Sequence, residues 1–137
     1  LVKAAGQLAQ VLLRGLAPRL HDGVYVFATA HDPAVLLQTE VVASVREQEG
    51  LTVVVPEGFA ARLGLQVAFR ARWITLEVLS DLAAVGLTAA VAAALGAHGI
   101  ACNVVAGVHH DHLFVPAGDG ERARQELVLL AAKTRPD

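Results

Sequence analysis

Three of the six histidines, the single cysteine and a lone asparagine fall in one stretch, Gly99-Ile-Ala-Cys-Asn-Val-Val-Ala-Gly-Val-His-His-Asp-His-Leu-Phe-Val-Pro, between two apolar runs. Imidazole and carboxylate are borderline ligands suited to zinc, nickel or iron, so His109, His110, Asp111 and His112 first raise the question of a metal. Side chains alternate along a strand, which lets His110 and His112 share a face but keeps Asp111 off it. At most two ligands then come from this motif, and a metal-dependent enzyme built on the His109–His112 hairpin would need others from elsewhere. The structural alternative is a turn with hydrogen bonds across the hairpin, and contact with a bound effector is a third. Cys102 as a nucleophile would require a nearby histidine and an accessible, polarised site. Its neighbours Ile100 and Val104 predict a buried, inert thiol instead.

These side chains must be placed by strands. Ile100, Cys102, Val104 and Ala106 read as one face, with Ala101, Asn103 and Val105 on the other, so Asn103 points away from Cys102. Gly107 to Asp111 turns the chain into a second strand, with His112, Phe114 and Pro116 on one side and Leu113 and Val115 on the other. Upstream, Leu8, Val11, Leu12 and Leu16 predict a helix over 4–16, ended by Gly15 and Pro18. Strands follow over 24–29, 41–46 and 51–55, the last two around Glu49-Gly50, then a short helix over 56–63. A strand over 72–79 turns Ile74, Leu76 and Val78 to the core and Trp73, Thr75, Glu77 and Leu79 away. An alanine-rich helix between Asp81 and His98 is capped by Gly99, and Gly86 marks its beginning or a close backbone approach. Ala123, Leu127 and Leu130 define the final helix, with Asp119 as its N-cap. Helices on one face of a mostly antiparallel sheet make an α+β sandwich.

Composition narrows the function. A length of 137 residues suits one core, or two small modules sharing one. Hydrophobic residues make up 55% and mean hydropathy is +0.52, yet the longest apolar run, 82–97, is shorter than the roughly 20 residues a bilayer requires. No charged start followed by an apolar stretch and cleavage-like site opens the sequence, so no membrane partner is expected. A formal charge of −2 with scattered Lys and Arg excludes nucleic acid. One cysteine makes no internal disulfide, which fits a cytoplasmic protein. High apolar content in a small chain predicts a homodimer. Glu47 and Glu49 read as solvated turn residues, and no glycine-rich phosphate loop, nucleophile elbow or Cys-x-x-Cys pair is present. The expectation is a protein without catalytic activity and without a cofactor.

Three segments carry a resemblance: Ile74-Thr-Leu-Glu-Val-Leu-Ser-Asp-Leu-Ala-Ala-Val-Gly-Leu-Thr-Ala-Ala-Val, Gly99-Ile-Ala-Cys-Asn-Val-Val-Ala-Gly and His110-Asp-His-Leu-Phe-Val-Pro. Together they resemble the stand-alone ACT-domain proteins, a small bacterial group with two ACT-like halves. Tyr25-Val-Phe and Arg46-Glu-Gln-Glu-Gly-Leu-Thr look like the amino-terminal half. The resemblance implies ferredoxin-like βαββαβ modules over 1–66 and 67–137, usually dimeric, binding amino acids or similar small effectors at interfaces. It places the effector site at Ser80, Asp81, Gly86, Leu87, Thr88 and Asn103. The local chemistry agrees, because the first turn of a helix offers unpaired N–H groups to a carboxylate, glycine admits close approach, and an amide both donates and accepts. Ser80 and Asp81 serve equally as helix caps. One departure stands out: ACT modules that bind amino acids commonly carry a Pro-Gly pair with an upstream Asp, whereas here Val85-Gly86 follows Ser80-Asp81 at another spacing. With no catalytic domain in this sequence, the implied role is a regulatory small-molecule-binding protein acting on an enzyme in trans. The alternative is a structural or oligomerisation module with no effector.

Overall fold

Val26, Ala28 and Ala30 are buried while Tyr25, Phe27 and Thr29 stay half-buried, so Tyr25–Ala30 forms a strand with two differently covered faces. A computed structural model describes residues 9–78 and 85–134. Helix α1 occupies residues 9–14, followed by β1 (Pro18–Leu20) and β2 (Tyr25–Ala30). A 3₁₀ turn at Pro33–Leu37 leads to the hairpin β3 (Ala43–Glu47) and β4 (Gly50–Pro56), then α2 (Glu57–Leu63) and β5 (Gln66–Leu76). Helix α3 (Leu87–Ala97), β6 (Asn103–Ala106), β7 (Asp111–Pro116) and α4 (Gly120–Thr134) complete the described chain.

All strand pairings are antiparallel, in one sheet of order β3-β4-β2-β5-β7-β6, with β1 also on β5. Strand β5 is the spine. Its first part pairs with β2, from Thr29 opposite Gln66 to Tyr25 opposite Ala71. Its last part pairs with β7, Ala71 opposite Pro116 through Thr75 opposite His112. Beyond β2, the same strand also holds β1, with Pro18 opposite Leu76 and Leu20 opposite Ile74.

The run from β2 to β5 follows a βαββαβ order, its first helix reduced to the 3₁₀ turn. From β5 the alternation continues through α3, β6, β7 and α4. The strand that completes this second set is β1, drawn from before β2. Leu13 and Leu16 accordingly share a core with Ile74, Leu76, Leu87, Val91, Leu95, Leu113, Val115 and Leu127. A separate core joins Val26, Ala28, Val53 and Val55 to Phe59 and Ala60 of α2. Each fully buried aliphatic side chain of these cores contributes about 1.5–3 kcal/mol.

The expected α+β sandwich is therefore present, as one continuous sheet with helices on one face. Ile74 and Leu76 are core residues and Val78 packs on them, as their alternation predicts. Gly99 takes the left-handed conformation (φ 71°) after the C-cap His98. Strand β5 starts at Gln66, not Arg72, because the ladder with β2 extends an extended segment whose own apolar alternation is interrupted by Arg70. Asp119 ends a short 3₁₀ turn before α4 and pairs with Arg122 at 3.1 Å. The outer parts of the helices expected over 4–16 and from Asp81 fall partly outside the described residues.

Candidate functional site

Of the effector residues expected from the sequence, Gly86, Leu87 and Thr88 stand together at the start of α3, and Asn103 opens β6. Gly86 (φ 103°) heads α3, and the first helical bond runs from the Ala90 N–H to the Gly86 carbonyl. As the N-cap, glycine brings no side chain to the N–H groups of the first turn. A Cβ on Gly86 would lie 3.1 Å from that of Ala9, so glycine also admits α1 here. Leu87 is buried in the core and Thr88 is exposed. Ser80 and Asp81 lie outside the described residues. Asn103, opposite Phe114 on the edge strand β6, belongs to the other face and donates weakly to the Phe114 carbonyl at 3.5 Å. It is not brought to Gly86. The first-half turn that corresponds in order, between β2 and Pro33–Leu37, has Asp32 accepting from the Ala34 N–H at 2.9 Å.

The histidine hairpin turns with the Gly107 N–H donating to the His110 carbonyl at 2.9 Å, and the charge of His110 is felt at His112. His110 reaches the end of β5, with Nδ1 3.5 Å from the Val78 carbonyl and Nε2 4.0 Å from Glu77. His112 turns to the uncovered face of the sheet. Among the described residues no three His, Cys, Asp or Glu side chains gather to hold a metal ion. Cys102 packs beside the α3–α4 core, and burial pushes its thiol up to about 11.

On that uncovered face lies a constellation that the sequence did not reveal. Thr75 pairs with His112 across β5 and β7, and Trp73 pairs with Phe114. The indole N–H of Trp73 donates to Nδ1 of His112 at 3.0 Å. Since an indole nitrogen only donates, Nδ1 must be an acceptor and the imidazole proton resides on Nε2. His21 stacks on Trp73, ring centres 3.5 Å apart and 6° from parallel. Its Nε2 is 2.7 Å from the Thr75 hydroxyl, which is in turn 3.0 Å from His112 Nδ1. Burial first, then the charge of His110, lowers the pKa of His112; burial first, then Arg19, lowers that of His21. The signal was half visible. Trp73 with Thr75, and His112 with Phe114, were each assigned to one strand face, but the pairing that brings the two faces together is long-range.

Beside this cluster is a cleft of about 400 Å³ lined by Tyr25, Glu40, Ala43, Trp73, Val105, His112 and Phe114 among others. The turn 38–42 closes one side of it, pinned by the Val42 N–H to the Val54 carbonyl at 2.8 Å. Its size falls within the range of small-molecule sites.

Against known families, an ACT-domain model matches residues 7–72. The fold is the ACT fold. A solved structure from Vibrio cholerae, described as a protein of unknown function and possible transport protein, is 41% identical and superposes with a TM-score of 0.82. The match covers 93% of this chain and 98% of that one, which makes the two members of one family. The ligand-free regulatory subunit of aspartate kinase from Thermus thermophilus shares the ACT fold at 8% identity and TM-score 0.57, over 85% of this chain and 98% of its own. An Agrobacterium tumefaciens protein superposes with TM-score 0.67 at 21% identity, over 85% of this chain and 89% of that one. No curated protein matches this chain. The match falls on the amino-terminal half, where the sequence motifs were weakest, and spans β1 to β5. No helix among the described residues is long and apolar enough to cross a membrane.

Proposed function

We propose that this ACT protein is a regulatory binding protein of two ACT-like halves, 1–66 and 67–137, that takes an amino acid or a similar small effector at the start of α3. The observation that carries the reading is Gly86 at φ 103°, heading α3 with a residue that brings no side chain of its own to the first N–H groups. Such a terminus favours a carboxylate through its first-turn N–H groups and the helix dipole. Gly86, Leu87 and Thr88 supply backbone groups, and Ser80 and Asp81 belong to the same loop by sequence. Asn103 contributes only to a ligand that reaches round the β6 edge. The ACT match supports regulation, and likeness to a regulatory subunit of similar extent supports action on a separate enzyme, in trans, by a cytoplasmic bacterial homodimer.

Isothermal titration against the twenty amino acids tests this directly. One of them binds saturably, and Gly86→Ala, which strains the positive φ, weakens it at least tenfold. Absence of heat with every amino acid, in a protein that melts cooperatively, would leave the structural module as the better reading. Loss of a metal-dependent midpoint shift on His110→Ala with His112→Ala would instead favour the histidine hairpin.

A further inference from the structure

The cleft on the uncovered sheet face has a chemistry unlike that of the α3 terminus. Oε2 of Glu40 is buried and has no hydrogen-bond partner among the described residues, although Glu40 lines the cleft. A buried carboxylate oxygen without a partner is costly and calls for a donor or a cation. The rings of Tyr25, Trp73 and Phe114 line the same cleft, and among the described residues no lysine or arginine does. Tyr25 meets Trp73 edge-on at 5.2 Å, and Trp73 is fixed by its hydrogen bond to His112 and its stack on His21. The imidazole of His112 uses Nδ1 to accept from Trp73 and is therefore neutral in this arrangement, so it adds no positive charge.

We propose that this cleft binds a small organic cation, an amine with an apolar body and no carboxylate. The ammonium group pairs with the Glu40 carboxylate, and the apolar body packs on the half-buried rings of Trp73 and Tyr25, whose faces attract a cation. An attached carboxylate finds no cationic side chain here and is repelled by Glu40. The occupant thus differs in charge from the zwitterion suited to α3.

Trp73 is the only tryptophan and therefore reports on the cleft by its own fluorescence. The experiment titrates the full chain with n-butylammonium, and with n-butanol and butyrate as neutral and anionic controls. Butylammonium changes the emission saturably, with a dissociation constant of about millimolar for so small a probe. Butanol and butyrate bind at least tenfold more weakly. Glu40→Gln removes the charge, keeps the shape, and weakens butylammonium at least tenfold, with an unchanged thermal midpoint showing that the fold is intact. Equal responses to butanol and butylammonium, or a titration indifferent to Glu40→Gln, would overturn the proposal. So would emission that follows protein concentration in step with dimerisation by light scattering, since a second copy would then fill the cleft.

Discussion

The Trp73 indole N–H ends on Nδ1 of His112, 3.0 Å away, and so dictates which nitrogen of that imidazole carries the proton. Protonating Nδ1 would set two donors against each other. The bond joins β5 to β7 on the face that the helices leave uncovered, and it holds one wall of the cleft.

Stability should accordingly depend on pH in a known direction. His21 and His112 both have pKa values lowered from the ordinary 6.5, chiefly by burial. Above 6.5 they are neutral in both folded and unfolded chains and cost nothing. As pH falls through 6.5 the unfolded chain takes protons that the folded one resists, so stability is lost until the folded-state values are passed. Thermal midpoints should fall between about pH 7.5 and 5. The lowered carboxylates, Glu57, Glu77 and Glu121, act below their ordinary 4.5 and leave that window clear. His112→Gln should flatten the slope, and nitrogen chemical shifts of wild-type His112 should report the Nε2–H form at pH 7.5.

Cys102 should resist modification. With its thiol pushed up to about 11 by burial, little thiolate exists at pH 8. An aromatic disulfide reagent should label the native chain far more slowly than the urea-unfolded chain. Equal rates in the two states would show that the thiol is accessible and ionised in the fold.

Much of this architecture was legible locally. Alternation in 99–116 assigned Asn103 and His112 to faces, and Gly86 and Gly99 marked the two ends of α3, because periodicity and positive-φ glycines are written into neighbouring residues. Strand order was not. The start of β5 at Gln66, the addition of β1 beside it and the meeting of His21, Trp73, Thr75 and His112 depend on partners more than thirty residues apart in sequence. Glu40 was invisible for the same reason, since nothing near it in sequence announces a cleft.

Gly120→Ala should destabilise the protein, although alanine is the better helix former. A Cβ at Gly120 would lie 2.8 Å from Cβ of Arg72 and 2.7 Å from its Cγ, and the first of these is fixed to β5. The propensity gain of about 1 kcal/mol is outweighed by overpacking of about 1–3 kcal/mol. A lower urea midpoint with an unchanged slope is the expected result.

Phe114→Ala should cost about 3–5 kcal/mol in denaturant unfolding. The ring is fully buried, touching Phe27 edge-on at 5.3 Å and lying 6.1 Å from Trp73. Because the same ring forms a cleft wall, the variant should also shift Trp73 emission before any ligand is added. Phe114→Leu, which keeps most of the volume, should recover over half of the lost stability.

The pairing of Pro18–Leu20 with Ile74–Leu76 makes time a constraint on this chain. A ribosome, adding residues at about 5–20 per second, has made β1 and Leu16 seconds before β5 exists to receive them, and earlier still than Leu127 of α4. Until then these segments have no sheet edge and no core to join, while β2 to β4 can already pair among themselves. The nascent protein must therefore close from its middle outward, its opening segment docking among the last, and the interval of exposure is the period when a chaperone has something apolar to hold.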